Sequence, residues 1–144
     1  MTARVQPAPF DLATELVGFG GGAGAIVTFT GVVRDDTGAM AALEIEHYPG
    51  MTERALSDYG AQAARRFDLT DWRIVHRHGR LAVGEPIMMV ATAARHRKAA
   101  FQAADYLMDW LKSRAPFWKR EIGRDGAAVW VDAKASDEDA LARW

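Results

Sequence analysis

The stretch 86-PIMMVATAARHRKAAFQAADYLMDWLKS-113 decides the fold. Its first nine residues are apolar except for Thr92, which is typical of a buried strand. From His96 to Ser113, apolar side chains recur at intervals of three and four residues and predict a helix with one buried stripe. That stripe comprises Ala100, Phe101, Ala104, Leu107, Met108 and Leu111. Pro116 prevents the helix from continuing. The sequence therefore predicts a strand that leads directly into one long helix, which ends before Pro116.

Other strands and helices surround this central pair. Strands are predicted at residues 25–33, 43–48 and 72–78, a second long helix at 52–67, and a hairpin at 120–133 around Asp125-Gly126. Two short helices complete the pattern, one at 12–19 capped by Asp11 and one near the C-terminus capped by Ser136 with Asp139. The strands come in groups, and the helices do not alternate regularly with them. The sequence therefore predicts an α+β fold with a mainly antiparallel sheet and packed helices.

Length and composition limit the class of protein. The 144 residues are expected to form a single domain, 1–144, with residues 1–9 as a loose N-terminal segment. No apolar run approaches the ~20 residues of a membrane helix. Residues 1–9 contain no apolar leader, so a cytoplasmic protein is expected. The formal net charge of -1 argues against nucleic-acid binding. The absence of cysteine excludes disulfides, thiolate metal sites and a cysteine nucleophile.

Two basic segments flank the long helix. Arg95-His96-Arg97-Lys98 lies at the predicted beginning of the helix, where the backbone N–H groups of the first turn attract anions. This segment is either an anion site or a solvated basic turn. The segment 112-KSRAPFWKRE-121 follows the last turn and holds Lys112 and Lys119. A lysine that is crowded by cations or partly desolvated has a lowered pKa and can act as an acid, a base or a nucleophile. Equally, these cations can complement the helix C-terminus while the aromatic pair lies in the core.

Arg34 and the histidines leave less specific signals. Arg34 is either an anion clamp at a strand end or the partner of Asp35 or Asp36 in a surface ion pair. The histidines show no spacing of a metal site, so neither a metal nor another cofactor is expected. They are His47, His76, His78 and His96.

Four blocks of sequence resemble a known family. They are 27-VTFTGVVR-34, 43-LEIEHYPGMTE-53, 76-HRHGRL-81 with Gly84-Glu85, and 108-MDWLKSRAPFWKRE-121. In this order the blocks resemble the catalytic (large) subunits of molybdopterin synthase. The likeness extends from about residue 9 to residue 144, and the last block is highly specific.

The resemblance implies an enzyme, a sulfurtransferase with an α+β hammerhead fold. It also implies a homodimer within a heterotetramer, in which a small ubiquitin-like carrier binds at each end and inserts its C-terminal Gly-Gly thiocarboxylate into a pocket. The implied substrate is precursor Z, a cyclic pyranopterin monophosphate, and two sulfur transfers give the dithiolene of molybdopterin. An enzyme without cysteine needs such a carrier, and basic and aromatic side chains suit a phosphate on a flat ring.

Roles for single residues follow from the same resemblance. Lys112 matches the catalytic lysine and is expected to act as general acid/base, while Lys119 is expected to stabilise developing negative charge. Glu121 is expected to orient a lysine or to help activate the water that frees the spent carrier. The other substrate-binding positions are Val32, Val33, Arg34, His96, Arg97 and Arg120. Val32 stands where relatives often have a polar or basic residue, which leaves only its backbone for binding. Lys134 stands where some relatives have arginine.

Two other classes of function remain compatible with these residues. A module could dock a ubiquitin-like tail without catalysis, although the joint presence of both lysines and His96-Arg97 argues against it. A phosphate-ester or nucleotide transferase would use the same basic pocket but needs Mg²⁺ held by carboxylates. The nearby carboxylates, Asp35, Asp36 and Glu121, form no recognised metal motif. If Lys112→Ala abolishes turnover but leaves carrier binding intact, the protein is an enzyme and not a docking module. Activity that is lost with a chelator would favour the transferase.

Overall fold

The computed structural model describes all residues, 1–144. Its strands are β1 Thr2–Gln6, β2 Ala25–Val32, β3 Met40–His47, β4 Leu69–Arg77, β5 Gly79–Ala82, β6 Pro86–Ala94, β7 Phe117–Gly123 and β8 Ala128–Trp130. Its helices are α1 Leu12–Glu15, α2 Met51–Phe67, α3 Arg97–Ser113 and α4 Ala135–Ala142. The predicted α+β class is confirmed. So is the central pair, since β6 ends at Ala94 and α3 begins at Arg97.

Strand β6 lies inside a four-stranded sheet of order β1-β4-β6-β2. It pairs antiparallel with β4 and β2, and its residues 88–94 are all buried, which explains its apolar composition. Strand β1 pairs parallel with β4. The prediction that residues 1–9 form a loose segment is therefore wrong for Thr2–Gln6. This strand is too short to show a clear period, and Arg77 anchors the chain after it by donating to the carbonyl oxygen of Pro7.

The second sheet has the order β5-β3-β7-β8. Strand β3 pairs antiparallel with β5 and β7, and the predicted hairpin corresponds to β7 and β8. The hairpin begins earlier than predicted, because Phe117 already pairs with His47 of β3. The sequence does not predict β5, which has only four residues and is separated from β4 by His78 alone. The chain enters β5 at Gly79, whose φ of 88° favours glycine.

Helices α2 and α3 pack on the first sheet and form the main core with it. Leu56 of α2, Leu107 of α3 and Val90 of β6 are fully buried there. The packing is close enough to require a glycine in α2, since a Cβ at Gly60 would lie 2.4 Å from the ring of Trp72. Leu111 and Lys112 in the last turn of α3 line the same two cavities as Lys119 of β7.

Three details of the helices differ from the predictions. Phe101 is 60% exposed although it belongs to the predicted buried stripe, because the neighbouring Ala100 and Ala104 face the sheet. Helix α1 has its predicted cap, with Asp11 accepting from the N–H of Thr14, but it already ends at Glu15. The capping prediction for α4 is wrong: Ser136 lies inside the helix, and Lys134 at the N-cap makes no side-chain cap. None of the four helices is long and apolar enough to cross a membrane.

Candidate active site

The last turn of α3 and strand β7 bring Lys112 and Lys119 to the same place. The helix ends where two successive N–H groups donate to the carbonyl oxygen of Trp110. The hydroxyl of Thr52 then anchors the connection by donating to the carbonyl oxygen of Pro116, at 3.3 Å. Strand β7 begins directly afterwards and returns the chain toward the end of α3.

Two cavities meet at these lysines. The first cavity, of about 480 Å³, lies between β2 and the last turns of α3 and includes Phe29 and Met108. The second cavity, of about 540 Å³, lies between α3, β7 and residues 130–137 and includes Trp118 and Trp130. Both cavities are lined by Arg34, Lys112, Lys119, Glu121 and Lys134. A molecule in either cavity therefore reaches the same pair of lysines.

Lys119 is a stronger acid than an ordinary lysine. Burial and, second to it, the positive charge of Lys112 lower its pKa from 10.5 to about 8, while Asp137 of α4 acts in the opposite direction. A desolvated site penalises the charged ammonium, and a like charge nearby penalises it further. Lys119 can therefore exchange a proton near neutral pH. Lys112, which is exposed, provides the adjacent positive charge.

His76 also lines the first cavity. It begins the third of the four blocks of sequence, but no role in the site was predicted for it. It lies on β4, is 3% exposed, and stacks on the ring of Phe117 at 3.7 Å between centroids. Burial, followed by the positive charge of Lys119, lowers the pKa of His76 to about 3, so the ring is neutral. Apart from its place in that block, its sequence signal is a polar residue inside a strand, directly after Ile74 and Val75, which are fully buried in the structure.

The end of β2 and the loop after it contribute Val32, Val33 and Arg34. Arg34 lines both cavities, and its guanidinium lies 2.9 Å from the carboxylate of Asp36, so the predicted ion pair is present and the anion clamp stays a prediction. Val32 lines the first cavity. Val33 is buried at the wall of the second cavity, and its N–H and carbonyl oxygen bond to residues 84–85. The backbone of Val33 is thereby used within the protein, and only its side chain shapes the site.

Arg120 and Glu121 point in different directions, as neighbours on a strand do. Glu121 lines both cavities beside Lys119. Arg120 lines neither; its Nε donates to Glu44 at 3.0 Å, and its guanidinium lies 5.4 Å from the ring centroid of Trp130. The structure therefore does not bring the Arg120 side chain to the lysines. It holds β7 to β3 and β8, which positions the residues on either side of it.

His96 and Arg97 lie at the opposite end of α3. Both are exposed and line a separate cavity of about 620 Å³ with Lys98 and Phe101. From Arg97 to Lys112 the helix rises about 22 Å at 1.5 Å per residue. Within one protomer the structure does not bring these two predicted substrate-binding residues to the lysines.

The fold and the site together define a class of protein. Two cavities with cationic walls meet at a lysine of lowered pKa, in a chain that has no cysteine. This arrangement is that of an enzyme that brings an anionic substrate and a second reactant to one acid/base group.

Comparison with known proteins gives the particular family. A family model described as MoaE protein matches residues 5–114. The molybdopterin synthase catalytic subunit of Cereibacter sphaeroides is 58% identical over 147 residues and is covered, like this chain, to 100%. The corresponding subunit of Mesorhizobium japonicum is 48% identical, over 99% of this chain and 92% of its own. A solved structure of the MoaE protein from Burkholderia ambifaria has a TM-score of 0.85 at 49% identity, covering 99% of this chain and 97% of that one. The chain belongs to the MoaE family of molybdopterin synthase catalytic subunits, which confirms the predicted family, fold and enzyme class.

Proposed function

We propose that this chain transfers sulfur from the C-terminal thiocarboxylate of a small ubiquitin-like carrier to precursor Z and so forms the dithiolene of molybdopterin. The meeting of two cavities at Lys112 and Lys119 carries the proposal. A sulfur donor and its acceptor have to come within bonding distance, and the chain has no cysteine that could carry the sulfur itself. Two reactants that enter from two sides satisfy both conditions.

The first cavity suits the pterin phosphate. Arg34, Lys112, Lys119 and Lys134 supply cationic donors for the phosphate, and Arg34 can form two parallel bonds to it. Phe29 and Met108 supply apolar surface for a flat ring. Val32 borders this cavity as well, in line with a binding role for its backbone.

The second cavity suits the extended C-terminal tail of the carrier. It is the more apolar of the two, with Val33, Trp118 and Trp130 in its walls, and it ends at the same two lysines. A Gly-Gly end has no side chains and therefore fits where the walls come close together. The relatives are named catalytic subunits, a name that implies a second subunit in their enzymes.

Proton transfer at Lys119 completes the reaction in this proposal. The thiocarboxylate sulfur attacks a side-chain carbon of the pterin and forms a C–S bond, while the C–O bond at that carbon breaks. The leaving oxygen takes a proton from the Lys119 ammonium. Water then hydrolyses the acyl–sulfur bond and returns a proton to the Lys119 amine. The sulfur stays on the pterin, the carrier leaves as a carboxylate, and a second carrier repeats the sequence at the neighbouring carbon.

The lowered pKa of Lys119 favours a different division of roles from the one that the resemblance implied. Lys119 becomes the general acid/base, because its pKa of about 8 lies near the working pH. Lys112 becomes the charge that lowers this pKa and neutralises the phosphate or the thiocarboxylate. Glu121, which lies beside both lysines, orients them and assists the water.

His96 and Arg97 belong in this proposal to the site of a neighbouring protomer. The length of α3 separates them from their own lysines, and exposed apolar side chains offer a surface for a homodimer. These are Ile26, Phe29 and Val32 on the edge strand β2, and Phe101 beside Arg97 on α3. Two such protomers with a carrier at each end form the heterotetramer.

Mixed dimers test the shared site. At a precursor Z concentration well below the KM of the Arg97→Ala protein, Arg97→Ala and Lys119→Ala homodimers are each expected to have low activity. A dimer with one chain of each variant has one site in which both residues are intact. Co-expressed, doubly tagged mixed dimers are therefore expected to regain up to half of the wild-type activity. If the mixed dimers stay as inactive as the Lys119→Ala homodimer, His96 and Arg97 do not act across an interface.

A reconstituted single-turnover reaction tests the function itself. Purified protein, precursor Z and a thiocarboxylated carrier are mixed, and dithiolene formation is followed. Product that depends on Lys112 and Lys119, and that a chelator does not reduce, is the expected result. Binding of the carrier without any product would leave only a docking module, and loss of product with a chelator would favour the transferase.

The carboxylates near the lysines bear on the alternative of a Mg²⁺-dependent transferase. No group of three or more His, Asp or Glu side chains is arranged to hold a metal ion. Asp35 accepts from the backbone N–H groups of residues 37, 38 and 40, and Asp36 pairs with Arg34.

The proposal places the reaction in the cytoplasm, and cell fractionation that found the protein elsewhere would contradict that part of it.

A further inference from the structure

His76 is a buried polar side chain that the reaction above does not use. It is 3% exposed, and its neighbours Ile74 and Val75 on β4 are fully buried. Its ring is held in one plane, stacked on Phe117 with 18° between the planes. A polar ring fixed this firmly at the wall of the first cavity presents the same atom to every ligand.

The protonation of this ring is fixed by its surroundings. Nδ1 lies 2.8 Å from the carbonyl oxygen of Arg77, and a carbonyl oxygen can only accept, so Nδ1 carries the proton. Burial, Lys119 and the two histidines His47 and His78 all disfavour a second proton and hold the pKa at about 3. Nε2 is therefore a lone-pair acceptor at every pH at which the enzyme works.

Nε2 has no partner within the protein. The ring makes a single hydrogen bond, through Nδ1. Nε2 has no partner but is not fully enclosed by protein atoms. The atom is therefore open to the first cavity, which His76 lines. A buried acceptor left open at a cavity wall calls for a donor from whatever occupies the cavity.

The other side chains of the first cavity that can accept a hydrogen bond are not buried: Asp36 is exposed and paired with Arg34, Glu121 is exposed beside the lysines, and Thr30 is half-buried. The remaining polar side chains of this cavity are cations. Arg34, Lys112, Lys119 and Lys134 only donate while they are charged, which suits a phosphate. A reduced pterin also carries ring N–H groups and an amino group, which are donors and need an acceptor. We propose that Nε2 of His76 accepts a hydrogen bond from a ring N–H of the pterin and so orients the ring in the first cavity. The proposal rests on the proposed function, since it requires the pterin to be the occupant.

Histidine NMR of the wild-type protein tests the contact directly. With ¹⁵N-labelled histidine the protein gives signals from four residues, and the signal that is missing from His76→Gln identifies His76. We expect Nδ1 protonated and Nε2 unprotonated from pH 5 to 9, and an upfield shift of Nε2 when precursor Z is added without the carrier. Saturating precursor Z that leaves the Nε2 signal unchanged, or an Nε2 that is already protonated, overturns the proposal.

Kinetics of two variants separate binding from packing. His76→Phe keeps a ring to stack on Phe117 but has no acceptor, and it is expected to raise the KM for precursor Z about tenfold with little change in kcat. His76→Gln restores an acceptor near the position of Nε2 and is expected to recover most of that loss. Equal KM values for His76→Phe and the wild type overturn the proposal, as does a His76→Gln variant no better than His76→Phe.

Failure of this inference and failure of the proposed function give different results. If precursor Z binds and is turned over but the signal of His76 does not move, only the inference about His76 fails. If precursor Z moves no histidine signal, shows no binding heat and yields no product, the proposed function fails with it. The NMR measurement needs only the wild-type protein and the Gln reference, so the test holds even if His76→Phe does not fold.

Discussion

The two ends of helix α3 carry similar clusters of positive charge in very different surroundings. At the beginning of the helix, residues 95–98 are all exposed, and no lysine or histidine there is enclosed. At its end, Lys112 and Lys119 face two cavities, and burial lowers the pKa of Lys119 to about 8. The difference teaches that positive charge alone can bind an anion, whereas positive charge that is also desolvated can transfer a proton.

Removal of the amine at the desolvated end has the largest expected effect. Lys119→Ala is expected to slow dithiolene formation by about 10²–10⁴-fold, the usual contribution of a general acid or base. Lys119→Arg keeps the charge but cannot release a proton, so it is expected to be nearly as slow while it still binds the anionic substrate. Single-turnover rates at saturating substrate measure both.

Arg65→Ala is the matched control for this experiment, since it removes one exposed cation from the last turn of α2. Its rate is expected to equal that of the wild type. A Lys119→Arg enzyme as fast as the wild type would contradict the conclusion that only the desolvated end of α3 transfers a proton.

A change at the exposed end is expected to weaken binding rather than catalysis. In the proposed dimer, Arg97→Ala removes a charged hydrogen bond to precursor Z, which is worth about 1.5–3 kcal/mol. It is therefore expected to raise the KM for precursor Z by about 10–100-fold, at about 1.4 kcal/mol per factor of ten. The rate at saturating substrate is expected to change little. A large fall in that rate with an unchanged KM would place Arg97 in the chemical step and contradict the comparison.

A packing change outside α3, between α2 and β4, separates stability from activity. Gly60→Ala places a Cβ 2.4 Å from the ring of Trp72, and overpacking of this kind costs about 1–3 kcal/mol. Thermal unfolding is expected to show a lower Tm, while the activity of the folded fraction is unchanged. Gly21→Ala, where nothing lies within 4 Å, is the matched control and is expected to leave Tm nearly unchanged. Equal Tm values for the two variants would show that α2 and β4 are less closely packed.

The smallest and most specific prediction concerns the pKa of Lys119. Lys112 lowers this pKa and Asp137 raises it. Lys112→Gln is therefore expected to raise the pKa of Lys119 above 8, toward 10.5, and Asp137→Asn to lower it further. NMR titration of ¹³C-labelled lysine side chains measures both changes. Shifts of the same sign in the two variants would show that the charges around Lys119 are not those described here.

The sequence predicted the parts of the fold that are long and periodic. Strand β6 and helix α3 follow from an apolar run and a helical stripe, and both are confirmed within two residues. Strand β1 could not be recognised, because its five residues depend on a partner strand far along the chain. Exposure of Phe101 could not be predicted either, since the periodicity does not show which edge of the stripe the sheet leaves uncovered.

The sequence indicated the two lysines, but it showed neither the electrostatics of the site nor which of the predicted residues meet there, since His96, Arg97 and Arg120 lie elsewhere within one protomer. The segment 112–121 indicated both lysines. Arg120 was expected at the site as well, but the alternation along β7 turns its side chain away from Lys119 and Glu121 and toward Glu44. Neither lysine could be assigned the lower pKa, because burial is a property of the assembled cavity. The role proposed for His76 could not be predicted for the same reason, because it depends on a stacked ring, a carbonyl oxygen and a cavity that come from different elements.

The pH dependence of the single-turnover rate tests the central claim, that Lys119 gives up a proton in the sulfur transfer, most directly. The protonated Lys119 is the acid, so the wild-type rate is expected to be high below its pKa and to fall as the pH rises through about 8. In Lys119→Ala the remaining slow rate is expected to show no such fall. A wild-type rate without a transition near pH 8, or the same transition in Lys119→Ala, would contradict the account.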